Sequence, residues 1–163
     1  MMASFTPCGP FSALEIMSGS LTETQSLGEK IGRNLDSKFM IGLSGELGSG
    51  KTSFVQGLAR GLDVPGNYYI TSPTYSIIHE YPGRIPLFHI DLYRIREKDE
   101  IFETGLYEML DRFGIFAIEW PDLLIKDLPA DYTAIHFQIK DDDTRKISIT
   151  AHGKRAADLV RRL

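Results

Sequence analysis

"GELGSGKTSFVQGLARGL", residues 45–62, reads as a glycine turn that opens into a helix. Gly45, Gly50, Lys51 and Thr52 satisfy the pattern Gly, four residues, Gly, Lys, then Ser or Thr. Each residue type there has a physical reason. Glycines let successive backbone amides fold around a β-phosphate, a helix N-terminus adds partial positive charge, and the lysine ammonium neutralises β- and γ-oxygens. The Thr52 hydroxyl is then offered to Mg²⁺. Upstream, the apolar run at residues 38–44 gives a strand. Downstream, Phe54, Val55, Leu58 and Leu62 form one stripe of a helix over residues 51–62, stopped in the Gly61, Pro65 and Gly66 region. Strand, loop, helix is the setting that a nucleotide-phosphate loop requires.

Working outward, FSALEIMS (residues 11–18) gives a strand. SLTETQSLGEKIGRNL gives a helix opened by Ser20 or Thr22, each with Glu or Gln three residues later as a capping box. Two extended runs follow at residues 74–81 and 85–93, separated by a turn at Pro82 and Gly83. A polar helical region covers residues 97–111, and GIFAIEW (residues 114–120) is an apolar strand closed by Pro121. YTAIHFQIK and RKISITA read as a strand pair joined through Asp141, Asp142 and Asp143, and the chain ends in a short helix. Strands and helices interleave early and strands pair late. This predicts an α/β three-layer sandwich with a mixed, mostly parallel central sheet and a C-terminal antiparallel pair, as one domain over residues 1–163.

A magnesium nucleotide site also needs a carboxylate at the tip of a neighbouring strand. Asp91 ends LFHID and Glu119 ends IFAIE, and either could hold the metal or polarise a water. His89 lies two residues before Asp91, on the same strand face, and reads as a structural histidine. Arg94 could contact phosphate or pair with an acid. Trp120, the only tryptophan, is a core aromatic or a shaper of the site. TSPTYS (residues 71–76) follows the loop's helix at the distance where a γ-phosphate-sensing segment sits in many such proteins. Its Ser72 and Thr74 hydroxyls could reach metal, water or phosphate.

Composition narrows the partners. The chain has 163 residues, 42% hydrophobic and 25% charged, with net charge −4, which argues against a general nucleic-acid binder working by phosphate neutralisation. Lys154, Arg155, Arg161 and Arg162 form the one evident basic cluster and read as a solvated helix face. Cys8 is the single cysteine, so no internal disulfide or thiolate metal cluster is expected, and it reads as a bystander in a loose N-terminal segment. No apolar run approaches the roughly 20 residues needed to span a bilayer, and the first residues lack the features of a secretory signal. No membrane contact and a cytoplasmic location are the expectations.

GELGSGKT, SPTY, HIDLYR and IEWPD, in that order, resemble the bacterial TsaE family (also called YjeE), small P-loop ATPases of tRNA threonylcarbamoyladenosine synthesis. The resemblance runs over nearly the whole chain. It implies ATP and Mg²⁺ as cofactors and a weak ATPase activity that supports a complex of TsaD and TsaB, with tRNA reached indirectly through that complex. Lys51 and the backbone of Glu46, Leu47, Gly48, Ser49, Gly50 and Thr52 would hold the phosphates. Thr52 and Glu119 would be metal ligands, Asp91 the acid in the catalytic position, and Trp120 a neighbour of the site. Thr22 or Thr24 would lie by the base, and Arg145 would approach the nucleotide.

Three rivals carry different signatures. A P-loop small-molecule kinase needs an acceptor pocket and an arginine-bearing lid, for which only Arg94 and Arg96 offer themselves. A GTPase normally uses Asn-Lys-x-Asp, yet neither Asn34 nor Asn67 begins that sequence. A nucleotide-clamped binding module would never turn the nucleotide over.

Overall fold

In the computed structural model the described residues are 3–8 and 11–163, with side chains described from residue 13 onward. Among them, eight strands form one sheet in the order β1-β2-β8-β7-β3-β6-β5-β4. The strands are β1 (Ala3–Cys8), β2 (Phe11–Ser18), β3 (Phe39–Gly45), β4 (Ile78–Tyr81), β5 (Leu87–Asp91), β6 (Ile115–Glu119), β7 (Tyr132–Ile139) and β8 (Arg145–His152). The helices are α1 (Leu21–Asn34), α2 (Lys51–Gly61), α3 (Lys98–Glu103), α4 (Leu106–Leu110) and α5 (Lys154–Arg161). No described helix is long and apolar enough to cross a membrane.

The parallel part of the sheet is its centre, β7-β3-β6-β5, and β7–β8 is the expected C-terminal antiparallel pair. The antiparallel share is larger than expected. β2 returns beside β8, β1 folds back on β2, and β4 pairs with β5 as a hairpin. The expected loose N-terminal segment is therefore strand β1 in its backbone; the Cys8 side chain lies outside the described ones.

Alternation along the central strands divides the core into two layers. Phe39, Ile41 and Leu43 of β3 join Ile115 and Ala117 of β6 beneath α1, α2 and α5. Met40, Phe88, Ile90, Phe116 and Ile118 face the opposite side, with Ile101, Leu106 and Leu110 of α3 and α4. Ser20 caps α1, its hydroxyl accepting from the Glu23 amide at 3.2 Å, while the Glu23 carboxylate accepts from the Gly19 amide at 2.8 Å. The polar region at residues 97–111 is two short helices, broken where Gly105 takes φ +70°. The run at residues 74–81 is a strand only from Ile78, since residues 74–77 turn toward Asp91.

Helices α1 and α2 approach through four glycines. A Cβ on Gly28 would collide with the Phe54 carbonyl, one on Gly57 with the Gln25 carbonyl, and one on Gly61 with the Glu29 carbonyl; one on Gly32 would sit 2.6 Å from the Leu58 oxygen. Gly28 and Gly32 on one helix, Gly57 and Gly61 on the other, are each four residues apart, one turn of helix. The backbones thus touch, and α2 is fixed against α1 at the end of the glycine loop of residues 45–50. Gly57→Ala is expected to lower unfolding stability by about 1–3 kcal/mol through overpacking, measured by urea denaturation. Without the close contact, the better helix propensity of alanine would instead raise stability by about 1 kcal/mol.

Candidate functional site

Parallel register sets the site. Leu43 of β3 lies opposite Glu119 of β6, and Glu119 opposite Asp91 of β5. Both carboxylates therefore stand at the C-terminal tips of adjacent strands, on the α2 side of the sheet, beside the loop that leaves β3. Ligands of open parallel sheets sit outside such tips.

The loop is built by glycines where its backbone demands them: Gly45, Gly48 and Gly50 have φ of +135°, +76° and +105°. Nothing lies within 4 Å of a Cβ placed on Gly48. The first turn of α2 has no side-chain cap and no acidic residue, so its amides face the loop's hollow uncompensated, the arrangement that favours an anion. Lys51 is folded back, donating to the carbonyls of Gly45 (2.8 Å) and Glu46 (2.9 Å), with Nζ 4.3 Å from the centre of the Trp120 ring. Burial pulls its pKa below the ordinary lysine value, with Glu119 and Asp91 opposing.

Leu47, Gly48, Gly50, Lys51, Thr52, Asp91, Glu119 and Trp120 line one cavity of about 270 Å³, with Ser53, Ser72, Thr74 and Tyr93 completing its wall. Lys51, Asp91 and Glu119 are 3–4% exposed. The Thr52 hydroxyl donates to Oε1 of Glu119 at 2.9 Å. Oδ2 of Asp91 accepts from Ser72 and from Thr74 (2.8 Å), and its Oδ1 accepts from the Tyr93 amide (2.9 Å). Among the described residues no group of three His, Cys, Asp or Glu side chains could hold a metal by itself. A hydroxyl and two carboxylates beside the glycine loop are instead the sparse oxygen set that could hold Mg²⁺, an ion that keeps waters and phosphate oxygens as its other ligands.

The side chains of Glu46 and Ser49 do not line this cavity. Glu46 is exposed and its carbonyl accepts from Lys51, and Ser49 is fully buried, its hydroxyl without a hydrogen-bond partner among the described residues. Thr24 and Arg145 line a second hollow of about 220 Å³ that shares Gly48, Gly50 and Ser53 with the first. Thr24, not Thr22, is thus the threonine beside the loop; its hydroxyl is bonded to Ser18 at 2.8 Å. Arg145 donates to the carbonyls of Asp141, Asp142 and Thr144. Arg94 has no acidic partner among the described residues and is not among those lining the cavity; it stacks over Tyr75 at 5.1 Å. Ser53, Tyr93 and Asp142 join the walls without having been singled out for them, because only the folded loop brings them there.

Comparison with known proteins gives the family. Residues 18–147 match the family model described as threonylcarbamoyl adenosine biosynthesis protein TsaE. The chain is 34% identical over 136 residues to the tRNA threonylcarbamoyladenosine biosynthesis protein TsaE of Treponema pallidum, covering 83% of this chain and 99% of the relative. It is 38% identical over 144 residues to the protein of the same name from Nostoc sp., covering 84% and 85%. The crystal structure of Bacillus subtilis YdiB superposes with a TM-score of 0.78 at 30% identity, over 94% of this chain and 95% of that one. With a family match over most of its length, beside a glycine loop and two strand-tip acids, the chain belongs to the TsaE family.

Proposed function

We propose that this protein is the ATP-hydrolysing component of tRNA threonylcarbamoyladenosine biosynthesis. It acts as a Mg²⁺-dependent ATPase that supports a threonylcarbamoyl transferase formed by TsaD and TsaB, and it meets tRNA only through that complex. The family and its relatives' names support the pathway. The chemistry is supported by the convergence of Lys51, Thr52, Asp91 and Glu119 on one cavity at the uncapped start of α2.

In this reading the loop amides and Lys51 bind the β- and γ-phosphates, and the nucleoside extends toward Thr24 and Arg145. Thr52 and Glu119 hold the metal, Glu119 through Oε2, which has no hydrogen-bond partner among the described residues while Oε1 is taken by Thr52 and His89. Mg²⁺, when bound, would supply charge neutralisation at the transferring phosphoryl group. Asp91 orients the attacking water once Ser72 and Thr74 release it. No arginine lines the cavity, so the charge developing on the phosphoryl group lacks the guanidinium that speeds such reactions elsewhere. A partner that supplies this charge or reorders residues 71–76 would raise turnover.

Purified protein is expected to release free phosphate from ATP slowly and to gain rate when TsaB and TsaD are added. Turnover alone at roughly 10 s⁻¹ or faster, with no gain on adding them, would contradict partner dependence. Phosphate transferred to a metabolite instead would favour a kinase.

Asp91→Ala and Glu119→Ala are each expected to cut hydrolysis by about 100-fold or more, the equivalent of ~3 kcal/mol of lost transition-state stabilisation. Both should leave nucleotide bound, whereas Lys51→Ala abolishes binding. Unchanged hydrolysis in both acid variants would refute the site assignment.

Because Lys51 rests on the sole tryptophan at 4.3 Å, phosphate should draw the ammonium off the ring. Nucleotide is therefore expected to change Trp120 emission in a saturable way, and a flat fluorescence titration would count against binding at this loop.

A further inference from the structure

Glu119 is gripped from two directions. Its Oε1 accepts from Thr52 of the loop at 2.9 Å and from Nε2 of His89 at 2.8 Å. The ring of His89 is fully buried and its Nδ1 has no partner among the described residues. With the carboxylate oxygen as acceptor, the imidazole donates through Nε2.

The register explains the reach. His89 lies opposite Ala117 in the β5–β6 pairing, and Glu119 is two residues further along the same face. The small Ala117 side chain leaves the imidazole room to lean past it to the acid. An apolar residue at position 89 would continue the layer made by Leu87 and Ile115. A buried imidazole with one unsatisfied nitrogen costs stability there, and what it obtains is a fixed carboxylate.

We propose that His89 is a positioning residue for the magnesium site: by holding Oε1 of Glu119 it leaves Oε2 as the oxygen that meets the ion. This rests on the reading of the loop as a magnesium-nucleotide site. It concerns the orientation of a ligand, the job that outer hydrogen bonds do at metal centres. Asp91 is held by Ser72, Thr74 and the Tyr93 amide, so His89 acts on one of the two acids only.

The test is nucleotide affinity, read by Trp120 fluorescence without metal and then as a Mg²⁺ titration, in His89→Gln, His89→Asn and His89→Leu. The glutamine amide nitrogen overlays imidazole Nε2, the asparagine amide falls short of it, and leucine has no donor. The glutamine variant should keep the wild-type Mg²⁺ half-saturation to within about 3-fold. The asparagine and leucine variants should raise it by about 10-fold or more, with metal-free affinity unchanged in all three. If leucine prevents folding, the asparagine and glutamine pair decides. The proposal is overturned by wild-type Mg²⁺ half-saturation in a folded asparagine or leucine variant, by failure of glutamine to rescue, or by metal-free affinity falling in step with the metal effect. Wild-type protein that binds no nucleotide overturns the parent reading and this role with it.

Discussion

The pairing register of three parallel strands is the constraint on which the rest depends. Because Leu43, Glu119 and Asp91 lie side by side, the loop that follows β3 meets two carboxylates at one level. A slip of a single residue in β5 or β6 would turn its acid to the other face of the sheet, among Phe88, Ile90 and Phe116 on the α3 and α4 side. That register is itself secured by the two apolar layers, whose side chains alternate through the same strands. Fold and site are thus specified by one pattern: the odd-numbered positions of β5 and β6 build the core below and the chemistry at the tip.

The site keeps four polar side chains nearly out of water: Lys51, His89, Asp91 and Glu119. Each makes at least one contact within the protein, although Nδ1 of His89 and Oε2 of Glu119 have no hydrogen-bond partner among the described residues. Lys51 bonds the carbonyls of Gly45 and Glu46 and lies over the Trp120 ring, and Ser72 and Thr74 donate to Asp91. The segment that holds Asp91 is bent sharply enough to place the β-branched Ile77 at φ +67°, a conformation costing about 1–3 kcal/mol. An anion in the loop would compete for Lys51, and the strain at Ile77 would favour release of residues 71–76.

Much of this was legible in the sequence because it is local. The strand β2, the helices α1, α2 and α5, the loop and the two acid-tipped strands follow from periodicity, caps and glycine placement over a few residues. Ser20 is the cap, and Asp91 and Glu119 end their strands. What escaped depends on distant partners. The strand character of Ala3–Cys8 comes from pairing with β2. The turn at residues 74–77 exists because Asp91, seventeen residues beyond Thr74, attracts the hydroxyls. The paired glycines of α1 and α2 carry a spacing signal, Gly28 with Gly32 and Gly57 with Gly61, whose meaning appears only when the two helices face each other. The bond from His89 to Glu119 was not legible because nothing in the sequence states that Ala117 lies beside His89 and Glu119 just beyond.

The most direct test is a crystal structure with a non-hydrolysable ATP analogue and Mn²⁺, whose anomalous signal marks the metal. The account predicts a triphosphate seated on the backbone of residues 45–52, with the metal ligated by the Thr52 hydroxyl and Glu119 at roughly 2.0–2.2 Å, the octahedral oxygen distance of such ions. A nucleotide bound elsewhere, or a metal held away from both Thr52 and Glu119, would contradict it.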